Sequence, residues 1–217
     1  MLTREIQAIR KMPLLPLPVR SSRVSAGDAT VLLSPVSTLT RAQVEELGPV
    51  DAIVAPNLFH TEGMAQAAAV FPDAELWGPP GVREKAPTLR WKGIFGQDAW
   101  PHEKSLPAHV VGGMPKVNEV VLIDVAERTA HVADLIFNLG PIPGLGPSIL
   151  LGMFGTKERF AMSRMLNLLV KDEAAFRNSM AQILAHDFER LVPAHGAIVE
   201  NGAREKLRAA LAERGHA

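Results

Sequence analysis

The sequence predicts a layered α/β protein, and three observations carry that prediction. Short apolar runs typical of buried strands occur in both halves of the chain, as at 51–55 and 190–193. Amphipathic helix patterns stand between them and after them, as at 172–185 and 203–212. Strand, loop and helix also follow one another at 51–70. Strands and helices mixed along the whole chain favour one layered body over two unrelated domains, so we expect a single domain over 1–217.

Turn chemistry and helix caps define the elements of the first half. Prolines at positions 13, 16 and 18 exclude a helix, so 1–22 is expected to be an extended amino-terminal segment. Thr40 and Gln43 form a capping-box pattern that begins a short helix, and Gly48 ends it. The other predicted elements are a hairpin at 23–36 with its turn at 26–28, a strand at 51–55, a helix at 62–70 capped by Thr61, a strand at 75–78 and a helix at 82–85. Residues 91–106 carry no readable pattern.

The second half reads as strands followed by helices. The predicted strands are 108–111, 118–124, 129–134 and 190–193, and the predicted helices are 157–170, 172–185 and 203–212. Residues 140–155 are rich in glycine and proline and predict a loop next to Asp134. That loop is either an apolar flap over a nearby site or a plain connection packed on the body.

Composition excludes several classes of function. The chain has 23 basic and 23 acidic residues in 217, so it lacks the net positive charge that nucleic-acid binding requires. With no cysteine, disulfides, thiolate metal sites and a cysteine nucleophile are all excluded. No stretch approaches the roughly 20 apolar residues needed to span a bilayer, so no membrane partner is expected. The charged amino terminus lacks the apolar core of a signal peptide, which makes the cytoplasm the expected location.

Three separated segments each run from an apolar strand into a side chain that can bind metal. These side chains are His60, Asp134 and His195. The ends of strands are where α/β proteins usually place their chemistry, so the three are expected to meet at one edge of a sheet. Two imidazoles and one carboxylate suit zinc, iron or manganese and leave positions open for water or substrate. Any one of the three is more often structural, and the case for a site depends on all three.

Two of these segments resemble the metallo-β-lactamase fold superfamily, in particular a divergent bacterial branch of it. Ala194-His195-Gly196 is similar to the superfamily's last histidine motif, and the segment 132–137 is similar to the strand that ends in its bridging aspartate, here Asp134. The resemblance extends over about 24–211. It implies a four-layer αββα sandwich with the site at the strand ends, and a hydrolytic reaction assisted by metal.

The chain also departs from the superfamily pattern. Where the superfamily has His-x-His-x-Asp-His, this chain has Asn57-Leu-Phe-His60-Thr-Glu62, and Met114 stands where the next histidine is expected. Methionine is a poor ligand for zinc, so the resemblance implies that half of a two-metal site is lost. It leaves His60, Asp134 and His195 as ligands of at most one divalent metal, with His60 and Asp134 as the catalytic residues. Weaker substrate-contact or fourth-ligand candidates are Asn57, Glu62, Met114 and Phe137.

Two functions therefore stay open on the sequence. The first is a hydrolase in which one divalent metal, zinc, iron or manganese, activates a water against a small-molecule substrate. The second is a catalytically inactive protein of the same fold, without a metal, that binds a small molecule or a protein partner in the former active-site cleft. The loss of the first histidines favours the second function, and the retention of Asp134 and His195 favours the first.

Overall fold

The computed structural model describes residues 4–11 and 15–216, so the extended structure predicted for 1–3 and 12–14 lies outside the described residues. The strands are β1 (Arg4–Lys11), β2 (Pro16–Ala26), β3 (Ala29–Leu33), β4 (Ala52–Val54), β5 (Glu75–Gly78), β6 (Trp91–Ile94), β7 (Ala108–Val110), β8 (Val120–Asp124), β9 (Thr129–Asn138), β10 (Phe160–Ala161) and β11 (Arg190–Gly196). The helices are α1 (Arg41–Glu45), α2 (Met64–Val70), α3 (Val82–Lys85), α4 (Leu145–Phe154), α5 (Arg164–Leu168), α6 (Glu173–Ala185) and α7 (Ala203–Ala212).

The strands form two mixed sheets. In the first sheet β1 to β6 lie side by side in chain order, antiparallel from β1 to β3 and parallel from β3 to β6. In the second sheet β9 pairs antiparallel with β8 and β10 and parallel with β11, and β7 pairs with β8. β9 is therefore the strand through which the amino-terminal and carboxy-terminal parts of this sheet are joined.

Alternation along the strands explains how both sheets are covered on both faces. In β3, Val31 and Leu33 pack between the sheets, whereas Leu32 packs on the outer face. In β8, Val120 and Leu122 face inward, whereas Val121 and Ile123 contribute to the opposite core. Because successive side chains of a strand point to opposite faces, strands that are apolar at every position require cover on both sides.

Helices supply that outer cover. Side chains of α2 and α3 pack on the outside of the first sheet, and side chains of α5, α6 and α7 pack on the outside of the second. The result is helix, sheet, sheet, helix, which confirms the predicted αββα sandwich. Arg20 ties the two sheets together near the end of β11, where its guanidinium donates hydrogen bonds to the carbonyls of Pro193 and Gly196 and pairs with Glu5.

Most of the predicted elements are present within one or two residues of their expected bounds. The capping box of Thr40 and Gln43 is formed as predicted, and the hairpin turns at Gly27. The helix predicted at 62–70 begins two residues late, with Gly63 and not Thr61 at its cap. Glycine is needed at position 63, because a Cβ there would lie 2.0 Å from the Pro35 carbonyl oxygen. Strand β6 lies in the segment that carried no readable pattern.

The loop predicted at 140–155 is wrong, since ten of these residues form α4. Its glycines and prolines mark the ends of the helix: Gly144 precedes it, and Gly155 ends it in a left-handed conformation. Pro147 lies in the first turn, where a missing N–H costs nothing.

The single helix predicted at 157–170 is also wrong. Phe160 and Ala161 pair with the end of β9, and α5 begins only after Ser163, whose hydroxyl accepts a hydrogen bond from the Leu166 amide. In the described part of the chain, no helix is long and apolar enough to cross a membrane.

Candidate metal site

The side chains of His60, Asp134 and His195 meet at one end of the two sheets, as the sequence predicted. His195 Nε2 lies 3.2 Å from Asp134 Oδ1, and His60 Nε2 lies 3.5 Å from Asp134 Oδ2. The two Nε2 atoms are 3.2 Å apart. One ligand atom from each residue lies within 4.8 Å of the other two, which is the arrangement that a single metal ion requires.

The Nδ1 atoms of both histidines, which point away from Asp134, have hydrogen-bond partners of their own. His195 Nδ1 lies 2.9 Å from the Pro18 carbonyl oxygen. Because a carbonyl can only accept, Nδ1 donates to it, and Nε2 is the ring nitrogen that faces Asp134 and His60. His60 Nδ1 lies 2.7 Å from the Ser34 hydroxyl, which can donate or accept. Contacts of this kind fix the orientation of metal-binding imidazoles.

An irregularity in β9 aims Asp134 at the site. β9 and β11 are in register up to Val132 and Pro193, and pairing resumes at Phe137 and His195. Between these points β9 has more residues than its partner, so the backbone amides of the bulged residues have no strand to pair with. The side chain of Glu119 satisfies them, accepting hydrogen bonds of 2.9–3.0 Å from residues 133, 134 and 135. Glu119 therefore holds the bulge that carries Asp134.

Asn57 links the loop of His60 to Asp134. Its amide nitrogen donates to Asp134 Oδ2 at 2.7 Å and to Glu119 Oε2 at 3.4 Å, and its oxygen accepts from the backbone amides of Phe59 and His60. Asn57 is fully buried. Its side chain is thus occupied in positioning two candidate ligands, a different place from the weak fourth ligand or substrate contact that the sequence suggested.

The carboxyl groups of Asp134 and Glu119 have opposite electrostatic environments. Burial favours the neutral form of Asp134, but the charge of His60 and the hydrogen bonds from both histidines hold the pKa of Asp134 well below its usual range. Burial and the nearby charge of Asp134 raise the pKa of Glu119 to about 7, although three backbone amides oppose the shift. Asp134 is therefore the anionic member of the site.

A pocket of about 360 Å³ opens onto the three candidate ligands. Its walls are apolar at Leu17, Phe59, Phe137 and Met165, and polar at its rim. Phe137 stacks on the His195 ring with the ring centroids 4.9 Å apart and the planes 9° from parallel. Phe137 therefore gives the site an apolar wall beside His195, and its role as a substrate contact stays a prediction.

The other two weak candidates, Glu62 and Met114, lie in different parts of the structure. Glu62 lies at the rim of the same pocket. Met114 does not line it, because its side chain is fully buried in the core between the second sheet and the outer helices, together with Phe176 and Met180.

Sequence reasoning missed two residues, Glu119 and Ser34. The signal for Glu119 was present, since it is an acid directly before the apolar run 120–123. Ser34 follows β3 and has a positive φ of 52°, a conformation that nothing in the sequence indicated.

Glycine is required at one position beside the site. Gly196 has a φ of +101°, and a Cβ there would lie 2.0 Å from the Asn138 carbonyl oxygen. The strand that carries His195 can approach β9 this closely only with glycine.

The comparisons with known proteins agree with this architecture. No protein-family model and no curated protein matches the chain. Among solved structures it is similar to a metallo-β-lactamase from Pontibacter korlensis, with 12% identity, a TM-score of 0.65 and coverage of 97% of this chain and 94% of the other.

Two further solved structures show the same likeness. A metallo-β-lactamase from Erythrobacter litoralis is 19% identical, with a TM-score of 0.65 and coverage of 97% and 92%. The mono-zinc form of the metallo-β-lactamase FIM-1 from Pseudomonas aeruginosa is 16% identical, with a TM-score of 0.64 and coverage of 99% and 92%. At these identities the likeness concerns the fold and not the reaction. Together with the two sheets, their outer helices and the site at the strand ends, it shows that this chain has the metallo-β-lactamase fold.

Proposed function

We propose that this protein is a metal-dependent hydrolase that holds one divalent cation between His60, Asp134 and His195 and acts on a small molecule. The observation that carries the proposal is the convergence of two imidazole nitrogens and one carboxylate on a single point at the base of a pocket.

The donor set fits a divalent cation. His195 Nε2 lies 3.2 Å from both Asp134 Oδ1 and His60 Nε2, so when both Nε2 atoms lose their protons they direct lone pairs at a point beside the Asp134 carboxylate. Without a proton or a cation between them, two such lone pairs 3.2 Å apart repel each other. Two nitrogens and one oxygen suit zinc, iron or manganese.

A cation bound there supplies Lewis acidity, which polarises a carbonyl group and lowers the pKa of water. The chain's own residues supply the rest. Asp134 and the two histidines bind the cation, and Glu119 and Asn57 keep Asp134 aimed at it. Phe59 and Phe137 exclude water from one side of the pocket and favour an apolar part of the substrate, whereas Lys85 and Glu62 at the rim orient polar groups.

The decisive experiment measures metal content and hydrolysis together. Protein purified without chelator, and then incubated with zinc, manganese or ferrous iron, should contain one metal per chain by elemental analysis. It should hydrolyse at least one member of a panel of nitrophenyl esters, thioesters, lactones and β-lactams. The D134N variant should lose both properties, whereas the control D187N, which changes an exposed aspartate, should keep both. A chain that stays free of metal under all three conditions would refute the proposal.

A second candidate function is binding without catalysis, and the position of Met114 favours it. Where the resemblance places another histidine, this chain has a side chain packed into the core, so that part of the superfamily's site is replaced by apolar packing. No hydrolysis of any panel member, with or without added metal, and a pocket that binds the same compounds without turning them over, would favour this function.

A further inference from the structure

Five large apolar side chains are exposed together on α4 and α5. We call them the α4–α5 face, and each is between 49% and 79% exposed: Leu145, Ile149, Met153, Met165 and Leu168. Single exposed apolar residues are normal in soluble proteins, but a cluster of this size marks an interaction surface.

Helix geometry makes the α4 part of this face continuous. Leu145, Ile149 and Met153 are four residues apart, so they line one side of the helix. The opposite side holds the helix on the body, because Leu151 packs with Leu17 and Leu139. α4 is therefore fixed by one apolar side and presents a second one to solvent.

The α4–α5 face adjoins the mouth of the pocket. Met165 belongs both to the face and to the pocket wall. Leu17 and Phe137 line the pocket and also belong to the cluster on which α4 packs. The Arg164 guanidinium donates a hydrogen bond to the Met153 carbonyl, which joins the start of α5 to the end of α4.

The segment that carries this face has a net positive charge, although the whole chain is neutral. Between Asp134 and Asp172 the sequence contains four basic residues and one acidic residue, Glu158. The basic residues are Lys157, Arg159, Arg164 and Lys171. Arg159 is paired with Glu213. Arg164 and Lys171 donate to backbone carbonyls of the face itself, and among the described residues no carboxylate forms an ion pair with them. The segment 135–171, which contains the face, therefore has three more cations than anions.

We propose that the α4–α5 face docks on an anionic lipid surface. An apolar helix side bordered by lysine and arginine is the pattern of helices that lie in the plane of a membrane interface. A second copy of this chain fits less well, because a twofold contact centred on the face would bring the same cations together. The sequence led us to expect no membrane partner because no segment can span a bilayer, but a face that lies on the surface needs no such segment.

Flotation of the full chain with lipid vesicles tests this proposal. The protein should float with vesicles of phosphatidylcholine mixed with phosphatidylglycerol, and much less with phosphatidylcholine alone, and high salt should release it. The triple variant L145S/I149S/M153S should lose vesicle binding while keeping its melting temperature, since all three positions are exposed. The variant K157Q/K171Q should bind about fivefold more weakly for each cation removed.

A matched pair of variants distinguishes vesicle binding through this face from nonspecific hydrophobic adsorption. I149S and V125S replace β-branched residues of similar exposure, 56% and 49%, and only Ile149 lies on the face. I149S should weaken vesicle binding, and V125S should leave it unchanged. Removal of metal by a chelator should also leave it unchanged, so the outcome is independent of the proposed hydrolase.

Two results would overturn the proposal. One is an absence of binding to anionic vesicles by the wild-type chain. The other is a wild-type dimer in solution that I149S dissociates, which would assign the face to a second copy.

Discussion

Two histidine pairs bring their ring nitrogens into contact in this molecule, and only one of them has the surroundings of a metal site. The Nε2 atoms of His60 and His195 are 3.2 Å apart, and those of His109 and His186 are 2.7 Å apart. The first pair shares Asp134. The carboxylate nearest in sequence to the second pair, Asp187, is bound to Arg128 instead.

The difference indicates which surroundings favour a cation beside two adjacent imidazoles. At the second pair, burial and the neighbouring His186 lower the pKa of His109, so this environment disfavours positive charge. At the first pair the interaction runs the other way, since the two histidines stabilise the ionised form of Asp134. The Asp134 carboxylate, and the contacts that hold both Nδ1 atoms, make the pair of His60 and His195 a candidate ligand set.

The largest expected effect comes from removing one ring from each pair. H195A should weaken zinc binding by more than about 100-fold. The loss of a metal ligand should cost at least as much affinity as the loss of a residue that is hydrogen-bonded to a ligand. H186A should leave the affinity and the stoichiometry of one metal per chain unchanged. Titration calorimetry on both variants measures this. Equal losses in the two variants would show that the second pair also binds metal.

The next effect concerns the support of Asp134. E119Q replaces one acceptor oxygen by an NH₂ group that faces backbone amides, so the β9 bulge loses part of its support. We expect metal affinity to fall about 10–100-fold and the free energy of unfolding to fall by about 1–3 kcal/mol. E127Q, at an exposed turn position, is the matched control. Unchanged metal affinity in E119Q would mean that Asp134 is aimed without Glu119.

A third histidine, His131, shows how a buried ring without hydrogen-bond partners affects stability. His131 is buried between the sheets, and neither ring nitrogen has a hydrogen-bond partner among the described residues. Burial, followed by the charges of Arg190 and Arg20, lowers its pKa to about 3. H131L replaces the ring by an apolar side chain of similar size, so we expect a gain of about 1–3 kcal/mol in the free energy of unfolding near neutral pH.

The same variant should change the response to acid. The pKa of His131 is lower in the folded protein than the usual 6.5, so between 6.5 and about 3 the unfolded chain binds more protons. Stability should therefore fall as the pH falls through this window, by about 1.4 kcal/mol per pH unit from this group. Urea unfolding of the wild type and H131L at several pH values measures the difference. A constant difference between them at all pH values would contradict the assignment.

The candidate ligands His60, Asp134 and His195 were predictable from the sequence because each lies next to an apolar run, and such a run is a local pattern. The αββα layering followed from the resemblance. Strands that are apolar on both faces, such as β3 and β8, are consistent with it. The β9 bulge was not predictable, because it exists only in the register between β9 and β11. The roles of Glu119 and Asn57 depend on that register, so they too required the structure.

The errors around α4 and α5 have a local origin. The glycines and prolines of 140–155 were read as a loop, yet they lie at the ends and in the first turn of α4, where they do little harm. The predicted helix at 157–170 ignored Ser163 as a cap and the strand pairing of Phe160. Local patterns identify apolar stretches well, but only tertiary pairing decides where such a stretch is interrupted.

The smallest expected effect concerns the second pair, His109 and His186, and the stability that the protein loses through it as the pH falls. Because burial, followed by His186, lowers the pKa of His109, this group also makes stability fall as the pH falls below 6.5. H109Q should reduce that dependence slightly, since the ring is only half-buried, and H186Q should reduce it by a smaller amount by removing the neighbouring ring. In the double variant the two effects should not add, because each depends on the other ring. If the H109Q and H186Q effects add fully, the two rings do not interact, and the contrast with the Asp134 site would rest on the carboxylate alone.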